Sequence, residues 1–239
     1  MAHLTKFINE IKSIEKVRGE LITTSRLCIN DFLSNAFSEE IYNCLDENVD
    51  WDVAYYLNDK GCKLTYEEIN SASSDDLKQK YSEIENCKPN EYQFLYHTYM
   101  IVTAYLEGKN PGHLLHYFLE LINSQEFLSI MRQITGCKEI IKMDAQATYY
   151  AKGNFLKEHN DADTVQGRRY AYVLNMSKNW IPDWGGLLHF TKENKVIESY
   201  APSYNSLVIF EVPQTHFVSQ VTTYAGENRL AITGWMYDQ

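Results

Sequence analysis

Short β-strand candidates alternate with clusters of turn residues from about residue 139 to the end of the sequence. Gly, Pro, Asn and Asp are concentrated between them, for example at 160–167, 177–185 and 201–205. Many short strands with turn signals at close intervals are typical of a β-sandwich or barrel. This region therefore predicts a closed all-β core. The eight strand candidates are 139–151, 154–159, 168–176, 186–190, 195–200, 206–211, 216–222 and 228–237.

The sequence before about residue 138 has a different, mainly helical pattern. Apolar residues recur at helical spacing, and weaker strand signals interrupt them. No linker separates the two regions. We therefore expect an α+β protein in which residues 1–138 form a helical support packed on a core of residues 139–239, as one continuous domain. The helix candidates are 4–21, 34–48, 74–85, 112–123 and 124–134; the strand candidates are 28–33 and 51–57, the second ended by Gly61; residues 92–106 are expected to be buried.

Composition excludes several classes of protein. With 44% apolar and 23% charged residues in 239 positions, the chain is neither disordered nor of low complexity. Its longest apolar run, Tyr99–Leu106, is far shorter than the ~20 residues of a membrane span, so no membrane association is expected. Residues 1–20 have no apolar signal-peptide segment.

The five cysteines, at 28, 44, 62, 87 and 137, form no CxxC pair, which predicts reduced thiols in a cytoplasmic protein.

The net charge of −10 falls mostly on the first half of the chain. Residues 1–139 hold 13 basic and 22 acidic residues, and no basic residue lies between Arg26 and Lys60. Such a surface repels phosphate backbones, so no nucleic-acid partner is expected. The acidic stretch has two interpretations: a solvated helix face, or a rim that attracts a basic protein.

One compact cluster of residues has the character of metal ligands. On a strand, His159 and Asp161 would point to the same face, and His216 lies at the start of a later strand candidate. Two histidines and one carboxylate on one face of a metal leave three positions open. That arrangement is the signature of non-haem Fe(II) oxygenases.

Arg229 lies beside the apolar residues Leu230, Ala231 and Ile232. A buried charge is costly unless it has a partner. Its planar guanidinium would match the carboxylate of an organic-acid cosubstrate, which such an oxygenase needs. A structural ion pair is the alternative interpretation of Arg229.

An ordered series of motifs over roughly 140–239 resembles the catalytic core of the 2-oxoglutarate/Fe(II) dioxygenases of the prolyl-4-hydroxylase type. The patterns of ribosomal-protein and hypoxia-sensing prolyl hydroxylases are the most similar. The motifs are Tyr150-x-x-Gly153-x-Phe155-Leu156-x-x-His159-x-Asp161, Arg168-Arg169, Val173-Leu174-Asn175, Gly185-Gly186-x-Leu188, His216-x-Val218 and Arg229-x-x-Ile232-Thr233-Gly234-Trp235.

This resemblance implies a double-stranded β-helix, or jelly roll. It also implies Fe(II) held by His159, Asp161 and His216, with 2-oxoglutarate as cosubstrate, O2 as oxidant and ascorbate as a candidate reductant. Arg229 would bind the distal carboxylate of 2-oxoglutarate, and Tyr150 would donate a hydrogen bond to the cosubstrate. Thr233 falls on the strand face of Arg229 by the period of two and is expected to line the site.

One position departs from the family pattern. The tyrosine that commonly shares the distal carboxylate aligns with Val173, and the neighbouring Tyr172 should face the opposite side of its strand. A different tyrosine or a water molecule would then supply that bond.

Other polar and aromatic residues receive weaker interpretations. The histidines at 3, 97, 113, 116 and 189 and the tryptophans at 180, 184 and 235 are expected to be structural, although the loop between Trp180 and Trp184 could touch substrate. Gly185-Gly186 predicts a turn. The loop 160–167, with Asp163, Thr164 and Gln166, is expected to border the substrate entrance, since it leaves the metal ligands directly.

These observations predict a hydroxylase whose substrate is a prolyl residue of a protein, with a basic ribosomal or translation-factor target as the leading candidate. Hydroxylation of a free amino acid or another small metabolite is one alternative. A non-catalytic binding module on the same fold is the other.

Overall fold

The computed structural model describes residues 4–85, 91–163 and 165–239, so His3, Cys87 and Thr164 lie outside the described residues. Seven α-helices are present in this part of the chain, together with short 3-10 turns at Leu4–Lys6 and Pro182–Trp184. The helices are α1 (Ile14–Thr24), α2 (Asn35–Glu47), α3 (Tyr66–Ser71), α4 (Ser74–Glu85), α5 (Ile101–Leu106), α6 (Leu114–Ile122) and α7 (Gln125–Thr135).

Side-chain caps fix several helix ends where the sequence predicts them. The Ser34 hydroxyl accepts a hydrogen bond from the Phe37 amide at the start of α2, and Ser124 accepts one from Phe127 at the start of α7. Gly136 ends α7 with φ 73°, a left-handed conformation that glycine adopts without strain. The predicted helices at 34–48, 74–85, 112–123 and 124–134 are confirmed.

The helix predicted over 4–21 is wrong in its first half. Helix α1 begins only at Ile14, after Ser13, whose side chain accepts from the Lys16 amide. The preceding residues instead form a 3-10 turn, and Ile8 makes an isolated β-bridge with Leu33. Apolar side chains from the 3-10 turn, from the bridge residue and from α1 all pack against the same core. Their helical spacing in the sequence therefore does not correspond to a single helix.

Thirteen strands of the described part of the chain form one antiparallel sheet. They are β1 (Arg26–Ile29), β2 (Asp52–Leu57), β3 (Lys60–Leu64), β4 (Phe94–Tyr99), β5 (Lys142–Met143), β6 (Gln146–Tyr150), β7 (Phe155–His159), β8 (Arg168–Asn175), β9 (Leu188–Lys192), β10 (Lys195–Tyr200), β11 (Ser206–Glu211), β12 (His216–Val218) and β13 (Arg229–Tyr237). All eight strand candidates after residue 138 contain a strand, and the first is divided into β5 and β6. Gly61 lies inside β3 and does not end β2, because the turn falls at Asn58 and Asp59, both with positive φ.

The sheet curls into the jelly roll that the resemblance implies. Its strand order is β1-β11-β8-β13-β6-β4-β7-β12-β9-β10. One apolar cluster, which includes Leu174, Ile209 and Ile232, packs between the sheet and the helices. A second, which includes Val173, Phe190 and Phe210, fills the inside of the curl. The fold is therefore an α+β jelly roll buttressed by helices.

The N-terminal segment contributes strands as well as helices. Strand β1 extends the sheet beside β11, and β4 lies between β6 and β7. Strands β2 and β3 continue from β4 as a short extension, and one face of this extension packs on Ile84 of α4. The boundary at residue 138 stays a prediction, but the segment before it is more than a helical support.

Among the described residues, no helix is both long and apolar enough to cross a membrane. The four described cysteines, Cys28, Cys44, Cys62 and Cys137, are free thiols. A cytoplasmic location stays a prediction.

Candidate active site

Two histidines face each other across the pair of strands β7 and β12. His159 and His216 are directly opposite in register, and their ring centroids are 4.2 Å apart. His159 is the last residue of β7 and His216 the first of β12, so both rings lie where the two strands open to a loop. Antiparallel pairing thus brings together side chains that are far apart in sequence.

Asp161 completes the cluster from outside the strand. Its Oδ1 lies 3.4 Å from His159 Nε2, and its Oδ2 lies 3.4 Å from His216 Nε2. Its φ of 57° is left-handed, which is uncommon for residues other than glycine, although Asp tolerates it. The expectation that His159 and Asp161 share one strand face is therefore wrong, because β7 ends at His159 and a tight turn brings the carboxylate back.

Backbone carbonyls fix the orientation of both imidazoles. His159 Nδ1 lies 3.0 Å from the Lys157 carbonyl oxygen, and His216 Nδ1 lies 2.7 Å from that of Gln214. Because a carbonyl only accepts, each Nδ1 carries a proton, and each Nε2 is the ring nitrogen left to face a ligand. Both Nε2 atoms face Asp161. Metal-binding histidines commonly coordinate through one ring nitrogen while the other donates to a carbonyl or carboxylate.

Burial and charge favour the forms of these residues that bind metals. Burial, followed by the neighbouring His159, lowers the pKa of His216 to about 4, so its ring is neutral at physiological pH. Burial raises the pKa of Asp161, but the hydrogen bond and charge of the imidazoles outweigh it, and the pKa lies below its ordinary value. The three ligand atoms all lie within 4.8 Å of one another, a spacing at which one ion can contact all three.

Arg229 opens β13 and is only 2% exposed. Its guanidinium carbon lies 5.0 Å from the centre of the Tyr150 ring, a cation–π contact. In the described part of the chain, Arg229 Nε has no hydrogen-bond partner and no carboxylate pairs with the guanidinium. A structural ion pair, the alternative interpretation of Arg229, therefore does not occur among these residues.

Tyr150 and Thr233 lie in the same cavity as Arg229. Tyr150 is paired with Arg229 across β6 and β13 and stacks on Tyr96, with ring centroids 5.2 Å apart. Burial raises its pKa, so the phenol stays protonated and can donate a hydrogen bond. Thr233 accepts a hydrogen bond of 3.2 Å from the amide of Gln146.

The cavity has a volume of about 210 Å³ and contains all six predicted site residues. This volume is below the ~300–1,000 Å³ of pockets for drug-sized ligands, which suits a small organic acid. A larger groove of about 710 Å³ lies near Leu106 and Val165 and contains none of the six.

Sequence reasoning missed four residues that line this cavity: Tyr92, Tyr96, Arg168 and Trp235. The Arg168 guanidinium carbon lies 3.9 Å from the centre of the Trp235 ring. Arg168 Nε and Trp235 Nε1 are buried and have no hydrogen-bond partner among the described residues. Trp235 packs against the inner core, as expected, and also lines the cavity. The motif Arg168-Arg169 and the alternation along β13 could have pointed to these two residues.

Val173 lines the cavity opposite Thr233, where the family pattern has a tyrosine. Tyr172 packs in the outer core, and its hydroxyl donates to the Asp144 carbonyl oxygen at 2.8 Å. The expectation that Tyr172 faces away is confirmed. Tyr172 borders the cavity but directs its hydroxyl to Asp144; the other tyrosines that line the cavity are Tyr92, Tyr96 and Tyr150, which come from other strands or their flanking loops.

Gly185 and Gly186 directly follow the 3-10 turn Pro182–Trp184, with left-handed φ values of 73° and 65°. A Cβ on Gly186 would lie 3.1 Å from Arg229 Cδ, so this glycine also makes room for the arginine. Trp180 donates to the Gly185 carbonyl oxygen at 3.0 Å and packs edge-to-face on Trp184, which fits the predicted role of loop anchors.

The loop 160–167 separates into two parts. Asp163 accepts hydrogen bonds from the amides of Val165 and Gln166 and lies 3.9 Å from Arg168 Nε, next to the cavity. Val165 and Gln166 instead line the larger groove, where Gln239 donates to the Val165 carbonyl oxygen at 2.7 Å. Asp161 therefore lines the cavity itself and Asp163 approaches it through Arg168, whereas Val165 and Gln166 lie on the larger groove.

The remaining described histidines make hydrogen bonds away from this cavity. His97 contacts Asn154, and His189 contacts Ser199. His113 caps α6 and also contacts the Asn48 carbonyl oxygen, and His116 contacts the Tyr99 hydroxyl. These contacts fit the structural roles expected for them.

The part of the chain that holds these residues matches a known protein family. Residues 145–237 match the family model of the 2OG-Fe(II) oxygenase superfamily. The matched segment contains the two histidines, Asp161 and Arg229. Over this part of its length the chain is similar to 2OG-Fe(II) oxygenases.

The chain is also similar to two curated proteins over about half of its own length. It is 31% identical to prolyl 3-hydroxylase OGFOD1 of Mus musculus over 121 residues, or 47% of this chain and 22% of the relative. The corresponding protein of Xenopus laevis is 29% identical over 121 residues, 47% of this chain and 23% of the relative. The chain thus spans about a fifth of the length of these curated relatives.

Solved structures share the fold over nearly the whole chain. A prolyl-4-hydroxylase of Pseudomonas putida has a TM-score of 0.58 at 16% identity, covering 95% of this chain and 100% of that one. A prolyl hydroxylase of Trichoplax adhaerens, solved with a peptide of hypoxia inducible factor, has a TM-score of 0.60 at 20% identity, covering 94% and 89%. At these identities the similarity shows the fold alone.

Proposed function

We propose that this chain is an Fe(II)- and 2-oxoglutarate-dependent dioxygenase that hydroxylates a prolyl residue of a protein. One observation carries the proposal most directly. The buried Arg229, which has no carboxylate partner among the described residues, shares a cavity with His159, Asp161 and His216. A buried cation without a partner is costly, and a bound dicarboxylate would remove that cost. The two relatives named as prolyl 3-hydroxylases favour a prolyl substrate.

The donor set fits ferrous iron. Two imidazole nitrogens and one carboxylate oxygen make up the facial triad typical of non-haem Fe(II) oxygenases. His159, Asp161 and His216 would hold the metal, and the carbonyls of Lys157 and Gln214 hold the two rings in the required tautomer. When bound, iron, 2-oxoglutarate and O2 supply the oxidising chemistry that converts a C–H bond to C–OH.

The other polar groups of the cavity suit the cosubstrate. Arg229 presents its fork to the distal carboxylate, and Tyr150 donates its phenol proton. Gln146 orients the Thr233 hydroxyl on the same wall. Val173 offers no hydrogen bond, so in this proposal the cosubstrate is held by Arg229 and Tyr150 without a tyrosine at that position. Ascorbate as a reductant is part of the proposal and needs its own assay.

Arg168 and Trp235 are suited to the substrate. Each has a buried N–H group without a hydrogen-bond partner among the described residues, although Arg168 Nε also lies 3.9 Å from Asp163 Oδ2. Such donors are normally satisfied when a ligand binds. A peptide carbonyl is an acceptor of the right kind. The flat face of Trp235 beside the cavity matches a prolyl ring, which is apolar and has no donor of its own.

A basic protein is the proposed target. Of the eight acidic residues between Arg26 and Lys60, Glu39 pairs with Lys178 and Asp52 pairs with Lys63. Others remain exposed, which would favour association with a positively charged surface. No feature of the cavity favours a free amino acid or a non-catalytic module over this proposal.

Product analysis tests the proposed function. The protein is incubated with Fe(II), 2-oxoglutarate, ascorbate and a mixture of basic ribosomal proteins, and succinate and peptide masses are followed. We expect succinate formation that needs iron, and an added oxygen atom on prolyl residues, with the ring position read by amino-acid analysis. Iron-dependent succinate formation without any hydroxylated prolyl residue would contradict the prolyl substrate. The absence of succinate would contradict the dioxygenase activity itself.

A further inference from the structure

Asp144 lies behind the part of the cavity wall that Trp235 and Arg168 form. It stands between β5 and β6, and the paired residues on either side of it place it opposite Trp235 of β13. Asp144 lines the larger groove and not the active-site cavity, so it reaches the cavity only through its neighbours. A residue in this position can act on the site without contacting a ligand there.

The carboxylate of Asp144 takes the place of a backbone carbonyl in the sheet. Asp144 N donates to the Trp235 carbonyl oxygen at 3.1 Å, as in ordinary antiparallel pairing. The return bond differs, because Trp235 N donates to Asp144 Oδ1 at 2.6 Å. The Asp144 carbonyl oxygen instead accepts from the Tyr172 hydroxyl at 2.8 Å. Backbone amides inside a protein need an acceptor, so the amide of Trp235 depends on the Asp144 side chain.

Two further residues of β13 hold Asp144 in this arrangement. The Tyr237 hydroxyl donates to Asp144 Oδ2 at 2.6 Å, so each carboxylate oxygen accepts a hydrogen bond from β13. Burial and the Asp144 carboxylate raise the pKa of Tyr237, so its phenol keeps the proton that it donates. A Cβ on Gly234 would overlap the Asp144 carbonyl oxygen, so only glycine lets the two backbones approach this closely.

Trp235 transmits this restraint to Arg168. The Arg168 guanidinium carbon lies 3.9 Å from the centre of the Trp235 ring, and both side chains line the cavity. Burial raises the pKa of Asp144, whereas its hydrogen bonds and the charge of Arg168 act in the opposite direction, so the carboxylate and the guanidinium also attract each other. A displacement of the Trp235 backbone would therefore move both of the N–H groups that are suited to the substrate.

Resting on the proposed function, we propose that Asp144 is a positioning residue for the substrate. It fixes the backbone of Trp235, whose ring carries Arg168, and so holds the two donors that face the target peptide. The hydrogen bonds of Asp144 go to β13 and Tyr172 and not to a metal ligand or to Arg229. Removing the carboxylate should therefore weaken substrate binding much more than cosubstrate binding.

A kinetic comparison of two substitutions tests the inference. Asp144→Ala should raise the concentration of the basic ribosomal proteins needed for half-maximal prolyl hydroxylation by about 5- to 30-fold, as for the loss of one anchored hydrogen-bonding group. The half-saturating concentration of 2-oxoglutarate should stay within about twofold of wild type. Asp144→Asn keeps an acceptor for the Trp235 amide and should stay within about threefold in both. Equal increases for substrate and cosubstrate in Asp144→Ala would overturn the inference.

Glu120→Ala is the matched control. Glu120 lines the same groove, and its carboxylate also accepts from a tyrosine hydroxyl, that of Tyr105 at 2.9 Å, but this pair joins α5 and α6. Both half-saturating concentrations should stay at their wild-type values. If Asp144→Ala does not fold, Tyr237→Phe replaces it, since this change removes one of the two bonds to the carboxylate. It should raise the requirement for substrate alone, by about two- to fivefold.

Nuclear magnetic resonance of the metal-free protein reports on Trp235 without any turnover. The four tryptophans give four indole N–H signals, and the signal that Trp235→Phe lacks belongs to Trp235. Asp144→Ala, or Tyr237→Phe in its place, should move this signal by more than its line width and leave the other three unchanged. Asp144→Asn and Glu120→Ala should leave all four close to wild type. An unmoved Trp235 signal, or an equal displacement of all four, would overturn the inference.

Failure of this inference is distinguishable from failure of the proposed function. A protein that hydroxylates prolyl residues, but whose Trp235 signal does not respond to Asp144, contradicts the inference alone. A protein that hydroxylates no prolyl residue, but shows the selective displacement, contradicts the proposed function alone and leaves Asp144 as the residue that holds Trp235.

Discussion

The Gln214 carbonyl oxygen accepts a 2.7 Å hydrogen bond from His216 Nδ1, and the Gln214 side chain ties the same residue to strand β1. Its amide nitrogen donates to the Ser25 carbonyl oxygen at 2.7 Å, and its amide oxygen accepts from Arg26 at 2.6 Å. The orientation of a candidate metal ligand is thus fixed by a strand that lies far away in sequence. Groups that orient metal ligands in this way are worth about 10- to 100-fold in metal affinity.

Gln214→Ala should therefore weaken metal binding by about tenfold and leave the fold intact, because the carbonyl remains but loses its support. Titration with Mn(II) as a redox-stable probe measures the affinity. Gln220→Ala is the control, since Gln220 also bonds a backbone carbonyl, that of Gly153, but does not hold a ligand. Equal affinities of the two variants would mean that the support of Gln214 is not needed.

Loss of any of the three candidate ligands should abolish turnover while the protein stays folded. For Asp161, the informative change is Asp161→Gly, because glycine tolerates the φ of 57° and only the carboxylate is lost. Asp59→Gly is a matched control, with φ 59° in the turn between β2 and β3. Succinate formation and metal titration are compared, and an active Asp161→Gly or His216→Ala variant would contradict the assignment.

Arg229→Met should raise the concentration of 2-oxoglutarate needed for half-maximal activity by about 30- to 1,000-fold, with little change in metal affinity. A charge-assisted bidentate pair in a buried site is worth roughly 2–4 kcal/mol. The same change should increase thermal stability without cosubstrate, since it removes a buried cation that lacks a partner. The half-saturating concentration and the thermal midpoint are measured together. If neither changes, Arg229 is not the anchor.

Acidification should destabilise the protein through His97. Burial lowers the pKa of His97 below its ordinary value of 6.5, and the Asn154 contact offsets this only in part. Below pH 6.5 the unfolded chain therefore binds more protons at this residue than the folded chain does. The free energy of unfolding falls as pH decreases from 6.5 through the folded-state pKa. His97→Gln should flatten this slope in denaturant titrations at several pH values, and an unchanged slope would exclude His97 as a source.

Most strands of the β core could be predicted from the sequence, but the way in which the residues of the candidate site come together could not. Strands such as β8 and β11 were predictable, because turn residues flank short apolar runs, and His216 and Arg229 stand at strand starts. Asp161 lies beside the two histidines as predicted, but the alternation of a strand does not place it there. A left-handed residue after the end of a strand produces no periodic pattern in the sequence. Tyr92 and Tyr96 could not be predicted, since β4 reaches the site only by long-range pairing with β6 and β7. Nothing local in the sequence records that pairing.

The last prediction separates two residues of the loop 160–167. Asp163 holds the amides of Val165 and Gln166 and lies 3.9 Å from Arg168, so Asp163→Ala should loosen the turn beside the proposed substrate donors. We expect substrate-dependent turnover to fall about 5- to 30-fold, as for the loss of one anchored hydrogen-bonding group, while substrate-free 2-oxoglutarate consumption is retained.

Gln166→Ala is the matched control for this loop, because its side chain lines the larger groove and not the cavity. It should leave both activities close to wild type, although the sequence alone grouped it with Asp163. Both activities are measured in parallel for each variant, with succinate as the common product. An equal loss of both activities in Asp163→Ala would assign that residue to the metal site rather than to substrate recognition. A selective loss in Gln166→Ala would place the substrate in the larger groove.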